Sequence, residues 1–202
     1  MVSKPRIIQL VADLAYGDAV SDDCLAIQRT LRRWGFKTHL YATRVDDQLR
    51  REAQVIHAYH PQPGDLVIFH YSLWSDAAEV VLHLPDPRVV IVYHNITPPE
   101  YFEGINPLAE AVTRRGRAEL SRFVPLTLLA LGKSEYSRQE LASAGFAHTG
   151  VLPFFVDLER LGTRDNPRLA RQLDDGRTNV LFVGRITPNK RQEDVIRAFY
   201  HY

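Results

Sequence analysis

The 202-residue chain has one cysteine, Cys24, so it cannot form an intrachain disulfide. That suits a reducing, cytoplasmic setting. Surplus charge is also missing: 25 lysines and arginines against 24 aspartates and glutamates leave a net charge of +1. Neither nucleic acid nor an anionic membrane is therefore expected as the main partner. No apolar run approaches the roughly 20 residues that a transmembrane helix needs. The start, Met-Val-Ser-Lys-Pro-Arg6, leads straight into a strand-like run without a signal-peptide core. Peripheral contact with a membrane stays open.

Several chemical signatures are absent as well. No G-x-G-x-x-G follows the first strand-like run, and neither H-E-x-x-H nor G-x-S-x-G occurs. Gly132-Lys133-Ser134 resembles the end of a phosphate loop, but the position of its first glycine holds Thr127. Leu128 to Leu131 are apolar strand residues rather than an anion cradle. His57 and His60 are close in sequence without a third ligand nearby, so no metal site is expected. The arginine clusters at 29, 32 and 33 and at 114, 115 and 117 fit solvated helix faces.

What is present is an alternation of strands and helices in a chain that is 45% hydrophobic and 24% charged. Strands are expected over Arg6–Ala12, Phe36–Ala42, Asp65–Tyr71, Arg88–His94, Pro125–Leu131, Thr149–Leu152 and Asn179–Val183. Unbroken runs such as Val89-Val-Ile-Val-Tyr93 suit strands buried on both faces by helices. The pattern predicts an α/β fold with a doubly wound parallel sheet, Rossmann-like. A helix over Ser21–Trp34 places Cys24, Ile27, Leu31 and Trp34 on one stripe, with Ser21 as N-cap and Gly35 as stop. Ser137-x-x-Glu140 fits a capping box for a helix ending near Gly145. Pro153, Gly162, Asn166-Pro167 and Asp174-Asp-Gly176 punctuate a connector. The expected organisation is a domain over 1–155, a connector over 156–178 and a new strand–helix unit over 179–202.

In a parallel sheet, ligands bind beyond the carboxyl ends of the strands. That rule selects the Tyr16-Gly-Asp-Ala-Val-Ser21 loop, where Gly17 permits close backbone approach and Asp18 precedes a helix. It also selects His70 and His94, which end two apolar runs, and the polar Asn95. An imidazole there can hydrogen-bond a ligand or move a proton. Arg185 and Lys190 flank the turn after Val183, next to a helix start, which suits a diphosphate.

Together these segments resemble the family 4 retaining glycosyltransferases of the GT-B fold. The matching pieces are Tyr16-Gly-Asp-Ala-Val-Ser21, Phe69-His-Tyr-Ser72, Tyr93-His-Asn-Ile-Thr-Pro-Pro-Glu-Tyr-Phe102, Ser134-Glu-Tyr-Ser-Arg138, Val151-Leu-Pro-Phe-Phe-Val-Asp157 and Leu181-Phe-Val-Gly-Arg-Ile-Thr-Pro-Asn-Lys190. The resemblance implies the N-terminal half of a GT-B architecture, the acceptor side, plus the first strand and helix of the donor half. It implies transfer of a sugar from a nucleotide-diphosphate sugar to a glycan, lipid or small-molecule acceptor. His94 would face the donor sugar as the catalytic-site residue, and Gly17, Asp18, His70 and Asn95 would line the donor or acceptor edge. Arg185 and Lys190 would stabilise the diphosphate, so neither a metal nor a further cofactor is implied. The family's paired-glutamate E-x7-E motif would lie beyond Lys190 and is not in the chain, so the isolated chain is expected to be inactive or nearly so. The rival expectation is a noncatalytic half-protein or split-enzyme subunit. It would pair with a donor-domain partner, or form a homodimer through residues 179–202, because an apolar strand without a sheet seeks an edge.

Overall fold

The computed structural model describes residues 4–156, 158 and 166–202. The chain divides into two compact units, Met1–Phe155 and Val156–Tyr202.

The first unit is built on seven parallel strands: β1 (Ile7–Leu14), β2 (Thr38–Val45), β3 (Gln54–Val55), β4 (Leu66–Tyr71), β5 (Val89–Tyr93), β6 (Thr127–Gly132) and β7 (Thr149–Val151). Their order across the sheet is β3-β2-β1-β4-β5-β6-β7. This is the expected Rossmann-like α/β sheet, flanked by helices. The chain winds one way from β1 to β3 and the other way from β4 to β7. The reversal puts a crevice at the carboxyl ends of β1 and β4. The strands begin and end within a few residues of their expected positions, and the two-residue edge strand β3 is additional.

The helices of this unit are α1 (Ala19–Arg33), α2 (Asp76–Leu82), α3 (Pro107–Glu119) and α4 (Glu135–Ser143). Alternation along the strands sorts side chains to two faces. Ile8 and Leu10 of β1 join Phe69, Tyr71, Ile91, Tyr93 and Ala130 in the larger core, against Ala77, Ala78 and Val81 of α2. Val11 turns the other way, into a smaller cluster with Cys24 of α1, Leu40 and Ala42. Each fully buried aliphatic side chain contributes about 1.5–3 kcal/mol relative to exposure. The unbroken apolar runs are therefore what make a two-sided sheet stable.

Three local expectations are corrected. Asp18, not Ser21, caps α1: its Oδ2 accepts from the amides of Val20 and Ser21 at 3.0 and 3.2 Å. Ser21 is buried one step further in and accepts from the Ala15 amide at 2.9 Å, which ties the loop to the helix. Ser134 rather than Ser137 caps α4, its Oγ accepting from the Ser137 amide at 3.3 Å. Trp34 is 63% exposed and does not share the buried stripe of Cys24 and Leu31. Gly35 does end α1, with a φ of +75° that a side chain would disfavour. Arg29, Arg32, Arg33, Arg114 and Arg115 are exposed, with ion pairs such as Arg32–Glu52 and Arg114–Glu110, whereas Arg117 is part-buried and donates to the Ile96 carbonyl and Glu140.

In the second unit, Asn166 caps α5 (Pro167–Leu173) through Leu169, and α6 spans Gln192–His201. Residues 157 and 159–165, which include Asp157, Gly162 and part of the expected connector, lie outside the described residues. The strand expected over Asn179–Val183 does not form: this stretch has no regular structure, and Leu181 and Val183 are each 84% exposed. Apolar composition alone does not make a strand; a ladder also needs an edge to pair with. Among the described residues, no helix is long and apolar enough to cross a membrane.

Candidate functional site

The carboxyl ends of β4, β5 and β6 bring polar side chains to the α1 side of the sheet, next to Gln9 in the middle of β1. Val11 pairs in register with His70, and His70 with Val92, so the end of β4 sits between β1 and β5. His70 is the next-to-last residue of β4 and points away from the larger core, opposite to its neighbours Phe69 and Tyr71. It is buried, and its Nδ1 lies 3.1 Å from Nε2 of His94, just past β5. Its other nitrogen, Nε2, meets Oε1 of Gln9 on β1 at 2.9 Å. A polar chain therefore crosses three adjacent strands. The two rings meet edge to edge, tilted by 28°, with centroids 5.4 Å apart.

Burial is the main cause that holds both imidazoles neutral. His70 is lowered to about 3 by desolvation and then by the positive charge of Lys133. His94 is lowered well below the usual histidine range by desolvation, then by His70 and Lys133. Two neutral rings can pass a hydrogen bond along the chain but do not present a cation. Among the described residues, His94 Nδ1 is buried with no partner.

A buried ion pair stands beside the histidines. Lys133, directly after β6, donates to Oδ2 of Asp23 on α1, and the two side chains are 5% and 3% exposed. Oδ1 of Asp23 accepts from the Phe155 amide at 3.3 Å. The Lys133 ammonium also lies over the Phe154 ring, 4.9 Å from its centre, and that ring packs against His94 at 5.5 Å. The segment after β7 thus covers the polar cluster. Gly132 lets this part of the chain turn close to α4, because a Cβ there would sit 2.5 Å from the Arg138 nitrogen.

Oxygen and nitrogen atoms of Asp23, His70 and His94 lie within 4.8 Å of one another, a spacing that could suit a divalent ion. The Lys133 ammonium already neutralises Asp23, and both nitrogens of His70 are engaged. The cluster carries its own cation. Cys24 is adjacent in sequence, and burial followed by the Asp23 charge pushes its thiol well up, so it is no nucleophile.

The other expected residues fall in three places. Gly17 turns the chain beyond β1 with a φ of +76°, and open space surrounds the position of its missing Cβ. The Asp18 carboxylate is committed to capping α1. Asn95 is exposed and takes a left-handed φ of +54°, which redirects the chain directly after His94. Arg185 and Lys190 belong to the second unit and are exposed. The Arg185 carbonyl accepts from Gln192 Nε2 at 2.6 Å, which ties the turn to α6.

Gln9, Asp23 and Lys133 were not singled out as site residues from sequence. The available signal was Gln9, a lone amide inside the apolar run Ile7-Ile-Gln-Leu-Val11. No protein-family model matches this chain, and no curated protein matches it.

Proposed function

We propose that this chain takes part in retaining glycosyl transfer from a nucleotide-diphosphate sugar. The observation that carries the reading is the buried, hydrogen-bonded His70–His94 pair at the carboxyl ends of β4 and β5, by the crevice where strand order reverses. The resemblance of the Gly17, His70, His94 and Arg185–Lys190 segments to family 4 glycosyltransferases supplies the reaction class.

In this reading His94 holds a hydroxyl of the donor sugar through a neutral ring, so no imidazolium competes for the leaving diphosphate. Lys133, fixed by Asp23, supplies a constant positive field behind the histidines. By the same resemblance, Arg185 and Lys190 of the second unit are diphosphate-binding residues. Preorganised charges of this kind are worth about 2.7–4 kcal/mol each in comparable sites. The acceptor is a glycan, lipid or small molecule, and catalysis calls for no metal.

Calorimetric titration of the purified chain with UDP, GDP and ADP tests the diphosphate part. One of them should bind, and the Arg185→Ala, Lys190→Ala double variant should lose that binding. Binding by none of the three, or binding indifferent to the double variant, would contradict it.

A second reading is favoured by one observation. The apolar stretch 179–183 forms no strand, and Val180, Leu181 and Val183 are exposed. In that reading the chain is a noncatalytic or split-enzyme subunit, completed by a donor-domain partner or by a second copy through residues 179–202. A monomer at all concentrations that transfers sugar unaided would exclude it.

A further inference from the structure

Gln9 is fully buried in the middle of β1, where a desolvated amide is costly unless it is hydrogen-bonded. Its side-chain oxygen meets His70 Nε2, and its Nε2 has no partner among the described residues. An apolar residue would fill this strand position at lower cost, so the amide calls for a reason.

Each neutral imidazole carries one N–H and one bare nitrogen. The Gln9–His70–His94 chain therefore has a direction. With the Gln9 oxygen facing it, His70 donates from Nε2 and its Nδ1 becomes an acceptor. His94 must then donate from Nε2, and its Nδ1 is left as a bare lone pair. That atom is the one already found buried and without a partner. Were the chain reversed, His94 Nδ1 would carry an N–H with no acceptor. The nearby Lys133 charge, which bears on both rings, disfavours a further positive end there.

We infer that Gln9 is a positioning residue: its amide oxygen fixes the tautomer of His70 and, through it, that of His94, so that His94 Nδ1 accepts a hydrogen bond from a ligand group that donates one. The direction of the relay rests on the Gln9 oxygen facing His70 and on the Lys133 charge near both rings. The identity of the donating group, a sugar hydroxyl, rests on the glycosyl-transfer reading. A site of this polarity takes hydroxyl groups and rejects carbonyl or phosphate oxygens at the same point, since two acceptors would face each other. His94 would touch the ligand once the Phe154 ring packed against it gives way; Gln9 and His70 would act on it only through His94.

Nitrogen-15 NMR of the histidine rings in the ligand-free chain reads the tautomers directly. Both rings should carry the proton on Nε2, with Nδ1 bare. The Gln9→Met variant keeps the volume but removes the acceptor, and should show mixed tautomers at His70 and His94 with an unchanged backbone amide fingerprint. The Gln9→Glu variant, which restores an acceptor, should return both rings to the Nε2–H form. A purely structural Gln9 would leave the tautomers the same in all folded variants. A proton on His94 Nδ1 in the wild-type chain, or tautomers unmoved by Gln9→Met, would overturn the inference. If Gln9→Met does not fold, the wild-type tautomer still decides. Absence of nucleotide binding would weaken the glycosyl-transfer reading and leave this result untouched.

Discussion

Lys133→Met should destabilise the first unit by about 3–5 kcal/mol, the range found when one partner of a buried ion pair is removed. The reason is the position of Asp23. Its side chain is 3% exposed, and without the ammonium its carboxylate keeps one backbone hydrogen bond, from Phe155. The methionine fills most of the lysine volume, so the loss comes from the stranded charge rather than from a cavity. Lys133→Met combined with Asp23→Leu should recover most of the loss, because an apolar pair needs no compensation. Urea midpoints of the two single variants and the double variant give the cycle. A single variant within about 1 kcal/mol of wild type would mean that the pair is hydrated in solution.

Acid should unfold the protein through its histidines before its carboxylates. The folded-state values of His70, about 3, and of His94, well below the usual range, are depressed below the unfolded value of about 6.5. Between those limits the unfolded chain binds a proton on each ring and the folded chain does not. Stability is therefore full above about pH 6.5 and falls as the pH drops, by about 1.4 kcal/mol per unit for each ring. From pH 7 to pH 5 the loss is about 2 kcal/mol per ring. His39, lowered by burial and then by Arg6, adds in the same direction. Denaturant midpoints measured from pH 8 to pH 5 should be flat at first and then decline. His70→Gln should remove part of the slope. A flat profile down to pH 5 would show that the rings are protonated in the fold.

These effects show which parts of the site the sequence displays. His70 and His94 are legible because each ends an apolar run, and a parallel sheet presents strand ends to ligands. The Asp23–Lys133 pair is not, since its members lie 110 positions apart and each has a plausible local role. Asp23 reads as a favourable acid near a helix start, and Lys133 reads as part of an incomplete phosphate loop. Only folding brings them together. Most strands were legible from unbroken hydrophobic runs. Asn179–Val183 has the same composition as those runs and yet forms no strand, because pairing is a property of two segments and composition belongs to one. The cap of α1 is Asp18 rather than Ser21, three residues further on, and sequence alone does not separate them because both are good acceptors. The hydrogen bonds that choose between them depend on the loop before them.

In the proposed function His94 holds the sugar of a nucleotide-diphosphate sugar. That role is tested most directly by titration calorimetry that compares a nucleoside diphosphate with its sugar conjugate, on the wild-type chain and on His94→Ala. The expected result is tighter binding of the conjugate to wild type by up to about tenfold, the worth of one good hydrogen bond, with that margin gone in His94→Ala while the diphosphate binds as before. An equal margin in both proteins, or no binding of either ligand to the wild-type chain, would contradict it.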